Sequence, residues 1–149
     1  MANGYLTLGS INSQLYKRIR SGLNFQMLGT HVSGVFAVFP DMAAKDFPGF
    51  PIMVVKPVPK ISDATASGVK RLDADVYVTC YSKSVQLCNE AIDKAYQVLE
   101  DFSNKSGVDS LGLNEVKYKF GQINTGFIGD TPLHQRDLIL TGWYEWVKH

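Results

Sequence analysis

Apolar residues near the start of the chain recur every four positions, which stacks them on one face of an α-helix. These residues are Ile11, Leu15, Ile19 and Leu23. Ser10 suits the N-cap, because its hydroxyl can accept a hydrogen bond from an unpaired amide of the first turn. Gly22 and Gly29 weaken helical continuation. The pattern therefore predicts a helix from Ser10 to about Leu23.

Two strands and two connecting segments follow in the pattern. The sequence VSGVFAVF, before Pro40, favours a short strand, and the proline-rich residues 41–51 favour a loop. The unbroken apolar run from Ile52 to Val55 predicts a central strand that Pro57 and Pro59 either end or confine to a sheet edge. Residues 60–70 are small and polar, so we expect an exposed, mobile connection to an antiparallel strand.

Residues 71–81 alternate between apolar and polar side chains, as in a strand with one buried face. The inward set is Leu72, Ala74, Val76, Val78 and Cys80. Ser82 or Ser84 can then cap a helix whose apolar stripe faces the same core. That stripe consists of Cys88, Ala91, Ile92, Ala95, Leu99 and Phe102.

The last third of the chain predicts two more strands, NEVKYKF and LILTGWYEWVKH, separated by an irregular, glycine-bearing loop in which Gly126 and Gly129 are turn residues. The element order is therefore α-β-β-β-α-β-β. We predict an α+β fold over residues 1–149, a single domain in which a mainly antiparallel or mixed sheet packs against two helices.

Charge and composition narrow the classes of function. The 149 residues include 15 basic and 14 acidic side chains, a net charge of +1, so no long-range field recruits nucleic acid or an anionic membrane. No apolar run is long enough to span a bilayer. Two cysteines are too few for a secreted disulfide scaffold, and we expect synthesis in a reducing cytoplasm.

No catalytic, metal-binding or cofactor-binding motif is found in the sequence. Cys80 and Cys88 are best interpreted as small core residues; a Cys–His nucleophile would require the fold to bring His31 or His134 close. Two aspartates on one strand, at positions 73 and 75, could form a carboxylate pair, but a solvated strand face is the simpler interpretation. We predict no metal, no cofactor and no enzymatic activity.

Two surface features could serve a partner. Lys17, Arg18 and Arg20 lie on the first helix and could bind nucleic acid, although a solvated polar face is the simpler explanation. The last strand carries Trp143, Tyr144 and Trp146, with aromatic rings on both faces. Such a strand can bury one face and offer the other to a partner, and core filling is the competing account.

Taken in order, the segments resemble the tail terminator family, the tail-completion proteins of long-tailed bacteriophages and related viruses. The resemblance rests on the helix around Leu15 and Ile19, on VFAVFPDMAAKDFPGFPIMVV, on DADVYVTCYSKSVQLCNEAIDKAYQVLEDF and on the late strand DLILTGWYEWV. It implies no catalytic residue. It implies a virion protein that forms six-fold rings on the tail tube, stops the polymerisation of the tube and presents a surface to the neck of the head.

The resemblance also implies partners. These are further copies of the chain, the tail tube protein and a neck or head-completion protein, with no membrane and no sequence-specific nucleic acid, although the ring lumen would allow viral DNA to pass. We expect contacts in the segments Lys60–Lys70 and Gly121–Arg136 and near the last strand. The candidate residues are Lys60, Ile61, Lys70, Arg71, Phe127, Arg136 and Trp146. The alternatives are a neck or head-completion protein and, more distantly, a small enzyme or ligand-binding domain.

Overall fold

Two helices and six strands make up the fold. A computed structural model describes residues 8–64, 69–104 and 114–147 of the chain. Its elements are α1 (Leu8–Met27), β1 (Val35–Phe36), β2 (Ile52–Ala64), β3 (Val69–Ser82), α2 (Val85–Asn104), β4 (Asn114–Phe120), β5 (Asn124–Ile128) and β6 (Thr131–Val147). The predicted α+β class and element order are confirmed, and β5 is an additional strand.

The strands form one mixed sheet in the order β1-β2-β3-β6-β4, and β5 pairs with β6 beside β4. Only the short β1 is parallel to its neighbour; every other pairing is antiparallel. Helix α1 contacts β1 and β2, whereas α2 contacts β3 and β6. Both helices therefore cover the same face of the sheet, side by side, and the other face has no helix among the described residues.

The core lies between the helices and the sheet. Leu15, Ile19 and Leu23 of α1 are buried there, as predicted. The strand residues Ala74, Val76, Val78 and Cys80 and the α2 residues Cys88, Ala91, Ile92, Ala95 and Leu99 are also buried, again as predicted. The predicted inward side chains of Leu72 and Phe102 lie outside the described part. No described helix is long and apolar enough to cross a membrane.

Helix α1 is longer than predicted at both ends. It begins at Leu8, so Ser10 lies inside its first turn and is not its N-cap. It continues through Gly22 because Met27 extends the apolar stripe by one more step of four and is fully buried. The helix ends where Gly29 adopts a φ of 77°, a left-handed conformation that glycine tolerates.

Strands β2 and β3 extend well into the segment that was predicted to be a connection. β2 reaches Ala64 and β3 begins at Val69, with paired residues along both strands, so only residues 65–68 separate them, and these lie outside the described residues. Pro57 and Pro59 do not end β2. The prediction of a mobile loop over residues 60–70 is therefore wrong for most of that segment, and the paired β2–β3 extension is called the arm below.

The predicted irregular loop after β4 is also wrong. Residues 124–128 and 131 onward form an antiparallel β-hairpin whose turn is Gly129–Asp130. Gly129 has a φ of 59°, which the first residue of a type II′ hairpin turn requires. Gly126, which was predicted to be a turn residue, lies within β5. The hairpin projects past the last residues of β3.

Residues 37–51 fold over part of the face of the sheet that has no helix. Phe39 packs edge-on against Tyr81 of β3 with ring centroids 4.9 Å apart, and Phe50 contacts both Phe39 and Phe47. Ile52, at the start of β2, pairs with Tyr81 and is fully buried although it lies outside the main core cluster. This loop therefore builds a small second core at one end of the sheet.

Candidate assembly surfaces

The candidate contact residues lie at two opposite ends of the sheet. In the pairing of β3 with β6, Val69 faces Val147 and Ser82 faces His134, so the two ends are separated by the length of β3. At about 3.3 Å per residue, that length is roughly 40 Å. We call the end near Ser82 the hairpin end, since the β5–β6 turn projects from it, and the other the arm end.

The arm end gathers five of the seven candidates on three neighbouring strands. Lys70 is paired directly with Trp146, and Arg71 is paired with the residue before it in β6. Lys60 and Ile61 lie in β2 opposite Asp73 and Leu72. The backbone therefore brings these candidates together, while the side chains of all five lie outside the described part of the chain.

The hairpin end carries Phe127, which pairs with Pro132 in the β5–β6 hairpin. Its side chain is 72% exposed, which is unusual for a phenylalanine. Its exposure comes from the position of β5 at the edge of the sheet, beyond the reach of α2. Val38, on the loop after β1 at the opposite edge of the sheet, is 73% exposed.

The guanidinium of Arg136 makes its contacts within its own chain. Its Nε donates to the carbonyl oxygen of Gly121 at 3.0 Å, and its Nη1 donates to Oδ1 of Asn89 at 2.9 Å. Its guanidinium also lies over the ring of Phe120, 5.3 Å from the centroid. These contacts join β6 to α2 and to the junction of β4 and β5, so Arg136 supports the hairpin end from inside.

A shallow groove of about 310 Å³ lies on the helix-free face near the arm end. It is lined by Asp73, Asp75, Glu115, Lys117, Thr141 and Trp143. Nε1 of Trp143 donates to Oε2 of Glu115 at 3.2 Å, and Glu115 has a φ of 51° where the register of β4 shifts. The two aspartates are half-buried beside a lysine, an arrangement typical of a polar strand face.

Among the described residues, neither Cys80 nor Cys88 is hydrogen-bonded to His31 or His134. Cys80 and Cys88 are free and fully buried, and Sγ of Cys88 donates to the carbonyl oxygen of Cys80 at 3.4 Å. The hydrogen bond with Cys88, followed by burial, raises the pKa of the Cys80 thiol. His134 instead contacts Oγ1 of Thr125 at 2.9 Å, and His31 lines a separate depression with Leu87. No described group of three or more metal-ligating side chains could hold an ion.

The fold defines a class of small α+β proteins with helices on one face of a mixed sheet. No protein-family model matches the sequence, and no curated protein gives a significant match. Among solved structures, the chain is similar to one from the virion of a native gene transfer agent particle. The alignment covers 90% of this chain and 95% of that one, with a TM-score of 0.52 and 13% identity. This chain therefore shares its fold with a component of a virion.

Proposed function

We propose that the chain is a virion assembly protein without catalytic activity, a tail terminator whose ring caps the tail tube, stops tube polymerisation and presents the joining surface for the head or neck. The observation that carries the proposal is the likeness to a virion chain across nearly the full length of both chains. The match is not confined to a fragment of a larger neighbour. A virion component therefore uses the whole of this fold and not only a part of it. We expect a ring of about six subunits.

The two ends of the sheet give this role a physical basis. A ring that joins a tube to a neck needs two separate contact surfaces on each subunit, one toward each partner. The hairpin end, with Phe127, and the arm end, where Lys70 pairs with Trp146, are separated by the length of β3. We assign one end of the sheet to the tail tube and the other to the neck, and both of these partners are parts of the virion.

The first test is the absolute mass of the purified protein, measured by light scattering over a range of concentrations, with electron micrographs of the same fractions. We expect closed rings, either free in solution or formed on purified tail tubes. Tail tubes assembled with and without the protein then report capping, since capped tubes stop growing while uncapped tubes continue.

A parallel binding assay on tail tubes and on portal complexes separates the tail terminator from a neck or head-completion protein. Binding to the tube with arrest of its growth supports the terminator. Binding to the portal complex alone would reassign the chain to the neck, within the same virion. Binding to neither, with a melting temperature that rises with a small ligand, would point to the enzyme or ligand-binding class.

A further inference from the structure

The two helices carry opposite charge. Helix α1 (Leu8–Met27) contains three basic residues and no acidic residue, and α2 (Val85–Asn104) contains four acidic residues and one basic residue. The basic residues of α1 are Lys17, Arg18 and Arg20, and the acidic residues of α2 are Glu90, Asp93, Glu100 and Asp101. The chain as a whole is nearly neutral, so this separation of charge is a property of the helical layer.

The outer flank of α1 is basic. Nε of Arg20 donates to the carbonyl oxygen of Val35 at 3.1 Å, so this flank of the helix faces the β1 edge of the sheet. Lys17, three residues earlier, and Asn24, four residues later, share the flank. Together with Tyr16 and the exposed Leu28 they line a surface groove of about 650 Å³. We call this surface the basic flank.

The outer flank of α2 is acidic and lies on the opposite side of the layer. Tyr96 contacts Tyr118 and Phe120 of β4, with ring centroids 5.0 and 5.3 Å away, so this flank faces the β4 edge. Asp93, three residues before Tyr96, and Glu100, four residues after it, share the flank. Asp93 is exposed, and Glu100 is half-buried and hydrogen-bonded to Tyr96. We call this surface the acidic flank.

The β2 edge of the sheet is unsuited to pairing with a strand of another copy. The amide of Met53 points outward, because it donates to the carbonyl oxygen of Gly34 in the segment leading into β1. Alternate residues share that direction, so positions 55, 57 and 59 also point outward, and Pro57 and Pro59 have no N–H to donate. Prolines at outward positions protect a sheet edge from pairing.

We propose that neighbouring copies in the ring meet through their helical layers, with the basic flank of one copy against the acidic flank of the next. This inference rests on the proposed ring. The contact is head to tail, as ring closure requires, because every copy carries one flank of each kind on opposite sides. Because both charged flanks belong to one sequence, the partner of each flank is a second copy of this chain. The opposite charges also fix how the two copies align at the contact.

Charge reversal tests the contact. Lys17→Glu and Asp93→Lys each place like charges opposite one another, and we expect each to weaken ring formation by about tenfold or more. The chain that carries both substitutions restores opposite charges at every contact, as does an equimolar mixture of the two single variants. Lys56→Glu, an exposed reversal on the helix-free face, is the matched control and should leave the rings intact.

Each result has a distinct meaning. Rings that withstand both single reversals, or that the double variant does not rescue, would overturn the helical contact and leave the proposed function standing. Intact rings with lost DNA binding in Lys17→Glu would assign the basic flank to nucleic acid instead. A wild-type chain that forms no ring, free or on tail tubes, would overturn both proposals. Urea midpoints equal to that of the wild type establish that each variant is folded.

Cross-linking supplies an independent readout. A carbodiimide joins a lysine to a carboxylate only when the two are in contact. In rings assembled from isotope-labelled and unlabelled protein, we expect mixed-isotope peptides that join Lys17 to Asp93 or Glu100. Link formation should fall as salt rises, because the Debye length falls to about 3 Å at 1 M. Rings in which those links occur only within one chain would contradict the assignment.

Discussion

Arg136 donates through Nη1 to Oδ1 of Asn89, 2.9 Å away, and this bond fastens the long strand β6 to the second turn of α2. The same guanidinium donates to the carbonyl oxygen of Gly121, at the junction where β4 gives way to β5. One side chain thus holds three elements in place at the base of the hairpin that carries Phe127. Arg136 therefore supports the shape of the hairpin end through contacts within its own chain.

We expect Arg136→Ala to lower the free energy of unfolding by about 1–3 kcal/mol, since it leaves Asn89 and the Gly121 carbonyl without their donor. Asn89→Ala should cost less, and the double variant should cost less than the sum of the two, with a coupling energy of about 0.5–1.5 kcal/mol. Urea denaturation followed by tryptophan fluorescence measures the wild type, the two single variants and the double variant of this double-mutant cycle. Strictly additive losses would show that the bond contributes nothing.

The buried stripes were the most predictable part of the fold. The period-two pattern ending at Cys80 and the helical pattern from Cys88 to Leu99 both describe residues that one layer buries against another, so burial left a direct mark on the sequence. The residue before α2, Ser84, was also recognisable as one of two candidate caps. The continuation of α1 to Met27 followed the same spacing of four, although Gly22 suggested an earlier end.

The edge strands could not be recognised in the same way. Four of the five residues of β5 are exposed, so no alternation of apolar and polar side chains marks it as a strand. The one available signal was the Gly129–Asp130 pair, a sequence that suits a two-residue hairpin turn. Pro57 and Pro59 left two alternatives open for β2, the end of the strand or a sheet edge, and the edge is correct: β1 pairs with β2 only at Met53 and Val54. The sequence could not decide between them, because the direction of the missing N–H is set by register.

The N-terminus of α2 provides a second prediction. Oγ of Ser84 accepts from the amide of Leu87 at 3.3 Å, and Oγ of Ser82 accepts from the amide of Ser84 at 3.1 Å. Ser84→Ala should lower the free energy of unfolding by about 0.5–2 kcal/mol, because the first turn loses its cap. Ser84→Asp keeps an acceptor and is the matched control. Equal losses in both variants would contradict the capping role.

The stability of the protein should fall at alkaline pH, in part through Tyr81. Burial, and then the charge of Asp137, raise the pKa of its phenol above the ordinary value. A raised folded-state pKa contributes stability in full below the unfolded pKa of about 10, and that contribution is lost as pH rises through the higher folded value.

The contribution of Tyr81 can be tested by comparing how much the free energy of unfolding falls between about pH 8 and about pH 11 in the wild type and in a variant. We expect a smaller loss in Tyr81→Phe, since phenylalanine keeps the edge-on contact with Phe39 but carries no proton to release. Urea denaturation at both pH values provides the measurement. An identical loss in variant and wild type would show that another group causes the fall in stability at alkaline pH.

The two thiols should be protected in the folded protein. Cys80 and Cys88 have no exposed surface, so a reagent in solution reaches neither sulfur. We expect an aromatic disulfide reagent to titrate no thiol in the native state and two in denaturant. Lys83→Cys, at an exposed position beside α2, is the positive control and should react at once. Rapid native reaction of the wild type would contradict the burial.

A substitution at Phe127 tests whether the hairpin end contacts a partner. Because its side chain is 72% exposed, Phe127→Ser should change the free energy of unfolding by no more than about 0.5 kcal/mol. If the hairpin end contacts the tail tube or the neck, the same substitution should weaken binding to one of them, because an exposed aromatic ring is the kind of residue that anchors an interface.

Val38→Ser is the comparison that gives the Phe127 result its meaning. Val38 is 73% exposed but lies on the loop after β1, at the edge of the sheet opposite to the β5–β6 hairpin. Pull-down of each folded variant on tail tubes and on portal complexes should show a loss for Phe127→Ser that exceeds the loss for Val38→Ser. Equal losses would show that the effect is not specific to the hairpin. Full binding by Phe127→Ser to both partners would remove the hairpin from the proposed contact surfaces and leave the arm end as the remaining candidate.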